Sequence, residues 1–164
     1  MAMKDAFIAE IKQEAVNTRK MLERAHPDKF DWKPHEKSMT LGRLAAHIAE
    51  IPVWVNRTME AGEYDFMKNI VKPVTYSNTA ELLKVFEERQ TAAIAVLQNA
   101  TDEMLNIKYK LKRGADTLAE LPRKVLIRNF VFSHLAHHRG QLSVYLRMLD
   151  VPVPGMYGPS ADEK

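Results

Sequence analysis

The segment from about Leu121 to Leu149 restricts the fold of this chain more than any other part of the sequence. Its apolar residues recur at three- and four-residue steps, which predicts one long helix, and Pro122 suits the first turn of such a helix. His134 and His138 lie on the apolar stripe, so the helix should bury them against other helices. The predicted inward face comprises Ile127, Phe130, Val131, His134, His138, Gln141, Leu142 and Tyr145.

The opposite face of that helix is predicted to be exposed to solvent. It carries Arg128, Arg139, Ser143 and Arg147. Arg139 adjoins the histidines in sequence but points away from them on the helical wheel. We therefore interpret Arg139 as a surface residue, in a salt bridge or at a subunit contact.

Three further long helices follow from the same periodicity. The first covers residues 3–25, the second runs from the cap at Thr40 to about Met59, and the third runs from the capping box at Asn78 to about Asn99. Pro52 lacks an N–H group and should kink the second helix. Four long helices with little strand predict an all-α fold, a four-helix bundle in a single domain of residues 1–164.

The connections between these helices are predicted to be short and irregular. Residues 102–105 suggest a short helical turn, and Ile107–Leu111 suggest either a brief strand or an extended loop that turns at Gly114. The proline-rich segment from Val151 to Pro159 cannot be helical. We expect this tail to run extended over the surface.

Composition excludes several classes of function. Charged residues make up 27% and apolar residues 46%, and 24 basic against 21 acidic residues give a net charge of +3, too small and too evenly spread to indicate nucleic-acid binding. There is no cysteine, so any metal must be held by His, Asp or Glu. No apolar run approaches membrane-spanning length and the N-terminus lacks signal-peptide character, so we expect a cytoplasmic protein.

Three histidines are the candidate metal ligands. His134 and His138, four residues apart, project from one helix face, and His47 lies on the buried face of the second helix. Three neutral imidazoles and a water suit Zn²⁺ and other first-row divalent ions. The alternative is that each histidine is simply buried and hydrogen-bonded, and the His-x-x-x-His spacing alone is only moderately specific.

Several neighbours of these histidines have more than one interpretation. His137, at the edge of the stripe, is either a partly exposed residue or a site residue that replaces a ligand, hydrogen-bonds to one or shuttles protons in catalysis. Gln141 either orients a ligand, contacts substrate or bonds to backbone. Glu50 is a possible fourth ligand, although a solvated or salt-bridged state is the simpler interpretation. Trp54 and Tyr145 are interpreted as core rather than pocket residues. Surface positions are assigned to His26 and His35.

Two motifs in the chain resemble the DinB/YfiT-like superfamily. The segment His134–Glu163 is similar to the C-terminal signature of that superfamily, and Met39–His47 together with Trp54 is similar to its second-helix motif. The resemblance extends over nearly the whole chain in helix order and spacing. It does not imply the error-prone DNA polymerase that shares the label.

The resemblance implies a four-helix bundle that holds a metal through His47, His134 and His138, with His137 outside the ligand set. Members with an assigned activity include S-transferases and isomerases that use low-molecular-weight thiols, in which the metal is thought to activate the thiol as thiolate. The implied cofactors are therefore a divalent ion, zinc or nickel first and iron or manganese next, and a low-molecular-weight thiol. The implied assembly is a homodimer acting on a small-molecule substrate.

These observations leave three functional hypotheses. The leading one is a metal-dependent enzyme of thiol S-transferase or hydrolase type, with His137 as the proton-transfer group. The second is a non-catalytic, stress-related binding protein with a structural metal, which would require a fourth protein ligand such as Glu50. The third is a metal-free helical interaction module.

Overall fold

Helices form most of the protein in the computed structural model, which describes residues 2–70 and 73–163. Within those ranges the helices are α1 (Met3–Leu22), α2 (Leu41–Glu50), α3 (Val53–Glu60), α4 (Thr79–Gln98), α5 (Asp102–Asn106), α6 (Arg123–Ile127) and α7 (His134–Met148). The strands are β1 (Glu63–Asp65), β2 (Lys108–Arg113) and β3 (Asp116–Pro122). A 3₁₀ turn at Pro27–Lys29 and a π-helix at Arg128–Ser133 join them.

Side-chain caps fix where α2 and α4 begin. Thr40 Oγ1 accepts a hydrogen bond from the N–H of Arg43 at 3.2 Å, and Asn78 Oδ1 accepts one from the N–H of Glu81 at 2.9 Å. The Glu81 carboxylate accepts in turn from the N–H of Ser77 at 2.8 Å. Each cap satisfies an N–H group that the helix itself leaves without a partner, and both predicted helix starts are confirmed.

Pro52 separates α2 from α3 instead of kinking one continuous helix. Because Pro52 has no N–H, it cannot bond to the carbonyl of Ile48. Ile51 donates to that carbonyl instead, at 3.4 Å, and also to His47 O at 3.2 Å. The chain then restarts as α3 at Val53. The single predicted helix is therefore two helices, and His47 lies in the last turn of α2.

The predicted helix from 121 to 149 consists of three consecutive helical segments. Leu121 and Pro122 belong to β3, α6 begins at Arg123, and the π-helix precedes α7. At the end of the π-helix the N–H of His134 bonds to the carbonyl of Asn129, five residues back. The extra residue in this wide turn produces no periodic signal in the sequence, which is why the sequence predicts an uninterrupted helix.

A small three-stranded sheet corrects the all-α prediction. β2 pairs in parallel with β1 and antiparallel with β3. The turn between β2 and β3 passes through Gly114, whose φ of +63° is readily adopted by glycine. The Asp65 carboxylate accepts from the N–H groups of Gly114 and Met67, each at 2.9 Å, and so ties that turn to β1. Of the two alternatives for residues 107–111, the strand is therefore confirmed.

The helices share one large apolar core, and the sheet covers a smaller one. α4 packs against α1, α2 and α3, and α7 packs against α2 and α1. The smaller core contains Tyr64, Tyr109, Leu111 and Leu126. Because α7 lies between α1 and α2, polar residues on two of its sides are covered by neighbouring helices.

Arg139 is buried, which corrects its interpretation as a surface residue. Its side chain is only 3% exposed and pairs with the Glu14 carboxylate on α1. Nη1 donates to Thr18 Oγ1 at 3.1 Å, and Nη2 donates to the hydroxyl of Tyr157 at 2.5 Å. The helical wheel correctly placed Arg139 away from the histidines, but α1 and residue 157 of the tail cover that side. We call these four residues the Arg139 cluster.

The C-terminal residues 149–163 contain no regular helix or strand beyond short turns. They lie against the core, with Pro154 buried and with Val151, Val153 and Met156 packed on its apolar residues. Asp162 pairs with Arg147 at 2.7 Å and holds the end of the tail on α7. Among the helices of residues 2–70 and 73–163, none has the length and apolar character needed to cross a membrane.

Candidate metal centre

Three imidazole rings meet where α2 packs against α7. His134 Nε2 lies 3.2 Å from His47 Nε2 and 2.8 Å from His138 Nε2. One ligand nitrogen from each ring lies within 4.8 Å of the other two. Two nitrogens on one tetrahedral zinc, at bond lengths of about 2.0–2.1 Å, stand about 3.4 Å apart. The structure thus brings together the three predicted ligands, here called the histidine cluster, in positions to bind a metal.

The surroundings of His134 and His138 favour a proton on Nδ1 of each ring. His138 Nδ1 lies 2.7 Å from Gln141 Oε1, an amide oxygen that only accepts, so Nδ1 is the donor. The His134 imidazole bonds to the carbonyl of Phe130, and because its Nε2 faces the other rings, its donor is also Nδ1. In the neutral rings both Nε2 atoms are then acceptors.

The resulting contact between His134 and His138 fits a bound cation. Their two Nε2 lone pairs face each other at 2.8 Å, and in the neutral rings neither atom can donate to the other. A cation placed between such lone pairs replaces their repulsion with two favourable bonds. Neutral imidazole with its second nitrogen held by an outer partner is the usual state of a histidine ligand. The donor set therefore suits a divalent metal.

The pKa values of all three histidines favour the neutral form that binds metal. Burial first, and then the neighbouring His138, His134 and Arg43 in that order, lower the pKa of His47 to about 4. Burial is also the largest cause of the lowered pKa of His134 and of His138. The ligand nitrogens are thus deprotonated at neutral pH without a metal having to displace protons.

The π-helix positions His134 through its backbone. In an α-helix the N–H of His134 would bond to the carbonyl of Phe130, four residues back. The wide turn directs that N–H to Asn129 instead, and the Phe130 carbonyl interacts with the imidazole of His134. π-bulges of this kind are frequent at functional sites. Gln141 lies one turn after His138 and orients that ring through its side-chain oxygen. The predicted orienting role of Gln141 is therefore supported, and the alternative of a glutamine bonded to backbone is not.

The other predicted site residues lie around this cluster. His137 is exposed, and its ring centroid is 4.9 Å from that of His138, outside the set of converging nitrogens. Glu50 lies 3.5 Å from the Arg43 guanidinium, so the salt-bridged interpretation of Glu50 is confirmed. Tyr145 is buried, as predicted for a core residue, and its hydroxyl donates to Met39 O at 3.2 Å. Both exposed histidines, His26 and His35, are at the surface as predicted.

A cavity of about 480 Å³ opens beside His47. One wall is aromatic: the Trp54 ring lies 4.8 Å from Tyr64 and 6.3 Å from Phe66, measured between centroids. Trp54 packs against the apolar cores, as predicted, but it is only partly buried and also lines this cavity. Aromatic walls beside a few polar groups are typical of small-molecule sites.

Three arginines line the same cavity and were missed by the sequence reasoning. Arg43 comes from α2, Arg57 from α3 and Arg89 from α4. A signal for two of them was available, because residues 43, 47, 50, 54 and 57 follow each other at steps of four and three along one helical face. This signal was missed because Pro52 interrupts the helix and because charged residues were assigned to solvent-exposed faces. Arg89 lies on a different helix, so only packing brings it to the cavity.

Known proteins similar to this chain share one family description. The sequence profile described as "DinB family" matches residues 1–164. In Bacillus subtilis strain 168, the uncharacterized protein YrdA is 27% identical over 164 residues, which cover 97% of this chain and 90% of YrdA. The uncharacterized protein YjoA of the same strain is 28% identical over 134 residues, which cover 79% of this chain and 80% of YjoA.

Two solved structures are similar in fold. A DinB-like protein from Bacillus cereus ATCC 10987 superposes with a TM-score of 0.72 at 25% identity, covering 93% of this chain and 97% of the other. The DinB-like protein YjoA from Bacillus subtilis superposes with a TM-score of 0.69 at 20% identity, covering 96% and 97%. The likeness in fold spans nearly the whole of each chain.

Proposed function

Because this chain belongs to the DinB family over its whole length, we propose that it is a metal-dependent enzyme whose divalent ion is held by His47, His134 and His138. The observation that carries the proposal is the convergence of three Nε2 atoms, with that of His134 2.8 Å from that of His138 and 3.2 Å from that of His47. Zinc or nickel suits three neutral imidazoles best, and iron and manganese are the alternatives.

The ligand set supports an open, catalytic site over a structural one. Structural zinc sites are closed by four protein ligands, whereas catalytic sites keep a position for water or substrate. Among the described residues, the metal-competent group contains the three histidines alone, and Glu50 is held by Arg43 and by the Tyr76 hydroxyl at 3.5 Å. The structural-metal alternative therefore lacks its fourth ligand.

The reaction that we infer is thiol S-transfer or hydrolysis. When bound, a divalent ion supplies Lewis acidity that lowers the pKa of a coordinated water or thiol toward neutrality. The protein contributes the fixed ring orientations, which Gln141 and the Phe130 carbonyl maintain, and a cavity that opens beside His47. A low-molecular-weight thiol is the second cofactor in this proposal, and the substrate is a small electrophile.

His137 is the proposed proton-transfer residue. It is exposed and lies one position before His138, with the two ring centroids 4.9 Å apart. An imidazole with solvent access near a reacting group can exchange protons with bulk water.

The remaining parts of the proposal concern assembly and location. We infer a four-helix bundle made of α1, α2 with α3, α4, and α6 with α7, to which the small sheet is an addition. We also infer a homodimer in the cytoplasm, with neither nucleic acid nor membrane as a partner, in line with the family resemblance and the composition.

A conjugation screen tests the proposed chemistry. Zinc- and nickel-loaded protein would be assayed with several small thiols and a chromogenic electrophile, and separately with an activated ester. Turnover is expected for the wild type and for His26→Ala, which changes an exposed histidine outside the cluster, but not for His47→Ala. Equal turnover in the folded His47→Ala variant would contradict the proposal.

A further inference from the structure

The cavity beside His47 carries an excess of positive charge that a metal site alone does not require. Three arginines line it, whereas Glu50 is the only carboxylate among its described lining residues. Glu50 lies 3.5 Å from Arg43 and also contacts the hydroxyl of Tyr76. A single carboxylate cannot neutralise three guanidinium groups, so the cavity attracts anions even before a cation binds to the histidines.

Two of these arginines have no acidic partner within the described parts of the chain. Neither Arg57 nor Arg89 forms a salt bridge with any carboxylate of residues 2–70 and 73–163. The Arg57 guanidinium instead stacks over Trp54 and Tyr64, at 5.0 and 5.3 Å from their ring centroids. Stacking fixes the plane of the guanidinium and leaves its N–H edge available for hydrogen bonds.

Arg43 also lines the cavity, and one of its guanidinium nitrogens has no hydrogen-bond partner among the described residues. Its Nη1 is buried without a hydrogen-bond partner in the described structure, because the Glu50 carboxylate approaches it at 3.5 Å without forming a hydrogen bond. Nη1 itself is shielded from solvent, so what Arg43 adds to the cavity wall is a positive charge that Glu50 meets only at 3.5 Å. Guanidinium groups match the paired oxygens of carboxylates and phosphates in particular.

The aromatic wall adds a requirement for an apolar body. Trp54, Tyr64 and Phe66 line the cavity, and His47 lies on the same lining. A ligand that fills the cavity thus meets arginine side chains, aromatic rings and His47 within one volume of about 480 Å³.

We propose that this cavity binds a small organic anion. The part of this inference that involves a metal at the histidine cluster rests on the proposed function. The carboxylate or phosphate of the anion pairs with the cavity arginines, and its apolar part lies against Trp54 and Phe66. The remaining end of the molecule reaches His47. The arginines thereby select the substrate class, and the histidine cluster acts on the end that the arginines have positioned.

Matched aromatic probes test this selection on zinc-loaded protein. The probes are 4-methylbenzoate, p-tolyl phosphate and the neutral 4-methylbenzamide, with binding followed by calorimetry and by quenching of tryptophan fluorescence. We expect at least one anion to bind about tenfold more tightly than the amide, since a hydrogen bond to a charged group is worth roughly that ratio. The tighter of the two anions identifies the anionic group.

Two variants assign the preference to the cavity. Arg57→Met and Arg89→Met should each weaken binding of the preferred anion about tenfold while leaving the amide unchanged. Arg24→Met is the matched control, because it removes the same charge from an exposed residue outside the cavity lining. Should Arg57→Met fail to fold, Arg89→Met, on the exposed side of α4, still gives the comparison. Equal binding of anions and amide, or an equal loss in Arg24→Met, would overturn the inference.

Measuring zinc content on the same samples separates the two proposals. If the protein retains no metal but still prefers the anion through Arg57, the proposed enzyme function fails and the anion site stands. If the protein holds zinc and does not distinguish the anions from the amide, the anion site fails and the metal proposal stands.

Discussion

Two clusters of polar residues lie on different sides of α7. Comparing them shows how polar groups buried for stability differ from polar groups buried at a functional site. His138 belongs to the histidine cluster and the next residue, Arg139, belongs to the Arg139 cluster. Arg139 is matched by a carboxylate and two hydroxyl groups, so its charge and its donors are satisfied within the protein. The Nε2 atoms of His134 and His138 instead face each other at 2.8 Å.

The contrast shows that burial of a polar group is not by itself a sign of function. Buried polar groups that find all their partners inside the chain stabilise or orient the fold. Groups that converge without complementary partners require something from outside. By that criterion the Arg139 cluster fastens α7 and the tail to α1, whereas the histidine cluster is positioned to hold a cation.

The largest expected effect comes from breaking the Arg139 cluster. Arg139→Met should lower the free energy of unfolding by about 3 kcal/mol, because it leaves the Glu14 carboxylate mostly buried without its cation. Urea denaturation would measure this. Arg128→Met is the matched control, since Arg128 also pairs with α1, through Glu10, but is 51% exposed, and its loss should cost less than about 1 kcal/mol.

The same two variants would show whether the Arg139 cluster and the histidine cluster really have separate roles. Folded Arg139→Met should bind zinc as the wild type does, because its guanidinium is directed away from the histidines toward α1. Equal destabilisation by the two substitutions, or loss of zinc from folded Arg139→Met, would mean that the two clusters are not independent.

A smaller effect is expected from Gln141. Gln141→Leu removes the oxygen that fixes the Nδ1 proton of His138, which should reduce zinc affinity about tenfold. Competition with a chromophoric chelator would measure the affinity. Gln141→Glu keeps an acceptor at that place and should retain the affinity, as should Ser143→Ala, whose hydroxyl bonds to Gly140 O. Unchanged affinity in Gln141→Leu would remove Gln141 from the site.

The smallest effect concerns the pH dependence of the metal-free protein. The pKa of His47 is lowered to about 4 in the folded chain against 6.5 in the unfolded chain, so between these values the unfolded state binds more protons. Stability should therefore be complete above pH 6.5 and fall as the pH drops through that window, by about 1 kcal/mol for this partly exposed ring.

Variants of His47 isolate that contribution. The difference in unfolding free energy between pH 7 and pH 5 should be smaller in His47→Gln than in the wild type and unchanged in the exposed control His26→Gln. A wild-type pH dependence preserved in His47→Gln would contradict the assignment of the lowered pKa to His47.

The sequence was sufficient for the histidine cluster because helical periodicity reports which residues share a face. His134 and His138 are related within one helix, and His47 lies on an apolar stripe of its own, so local patterns identify all three. The caps at Thr40 and Asn78 are likewise local, and both were predicted correctly.

What the sequence did not reveal depends on contacts between distant segments. β1 has three residues and pairs with β2 about 45 positions later, so neither its length nor its composition marks it as a strand. A helical wheel gives the direction of Arg139 but not what covers it, which is α1 and Tyr157. The cavity arginines come from three helices, and their convergence follows only from how α2, α3 and α4 pack.

Metal content measured by mass spectrometry tests the central claim most directly. The protein would be purified without a histidine tag from undepleted medium, alongside His47→Ala and the control His35→Ala, with folding checked by circular dichroism. We predict about one divalent ion per chain in the wild type and in His35→Ala, and none retained in His47→Ala. Full stoichiometry in His47→Ala, or no metal in the folded wild type, would contradict the claim that the histidine cluster is a metal centre.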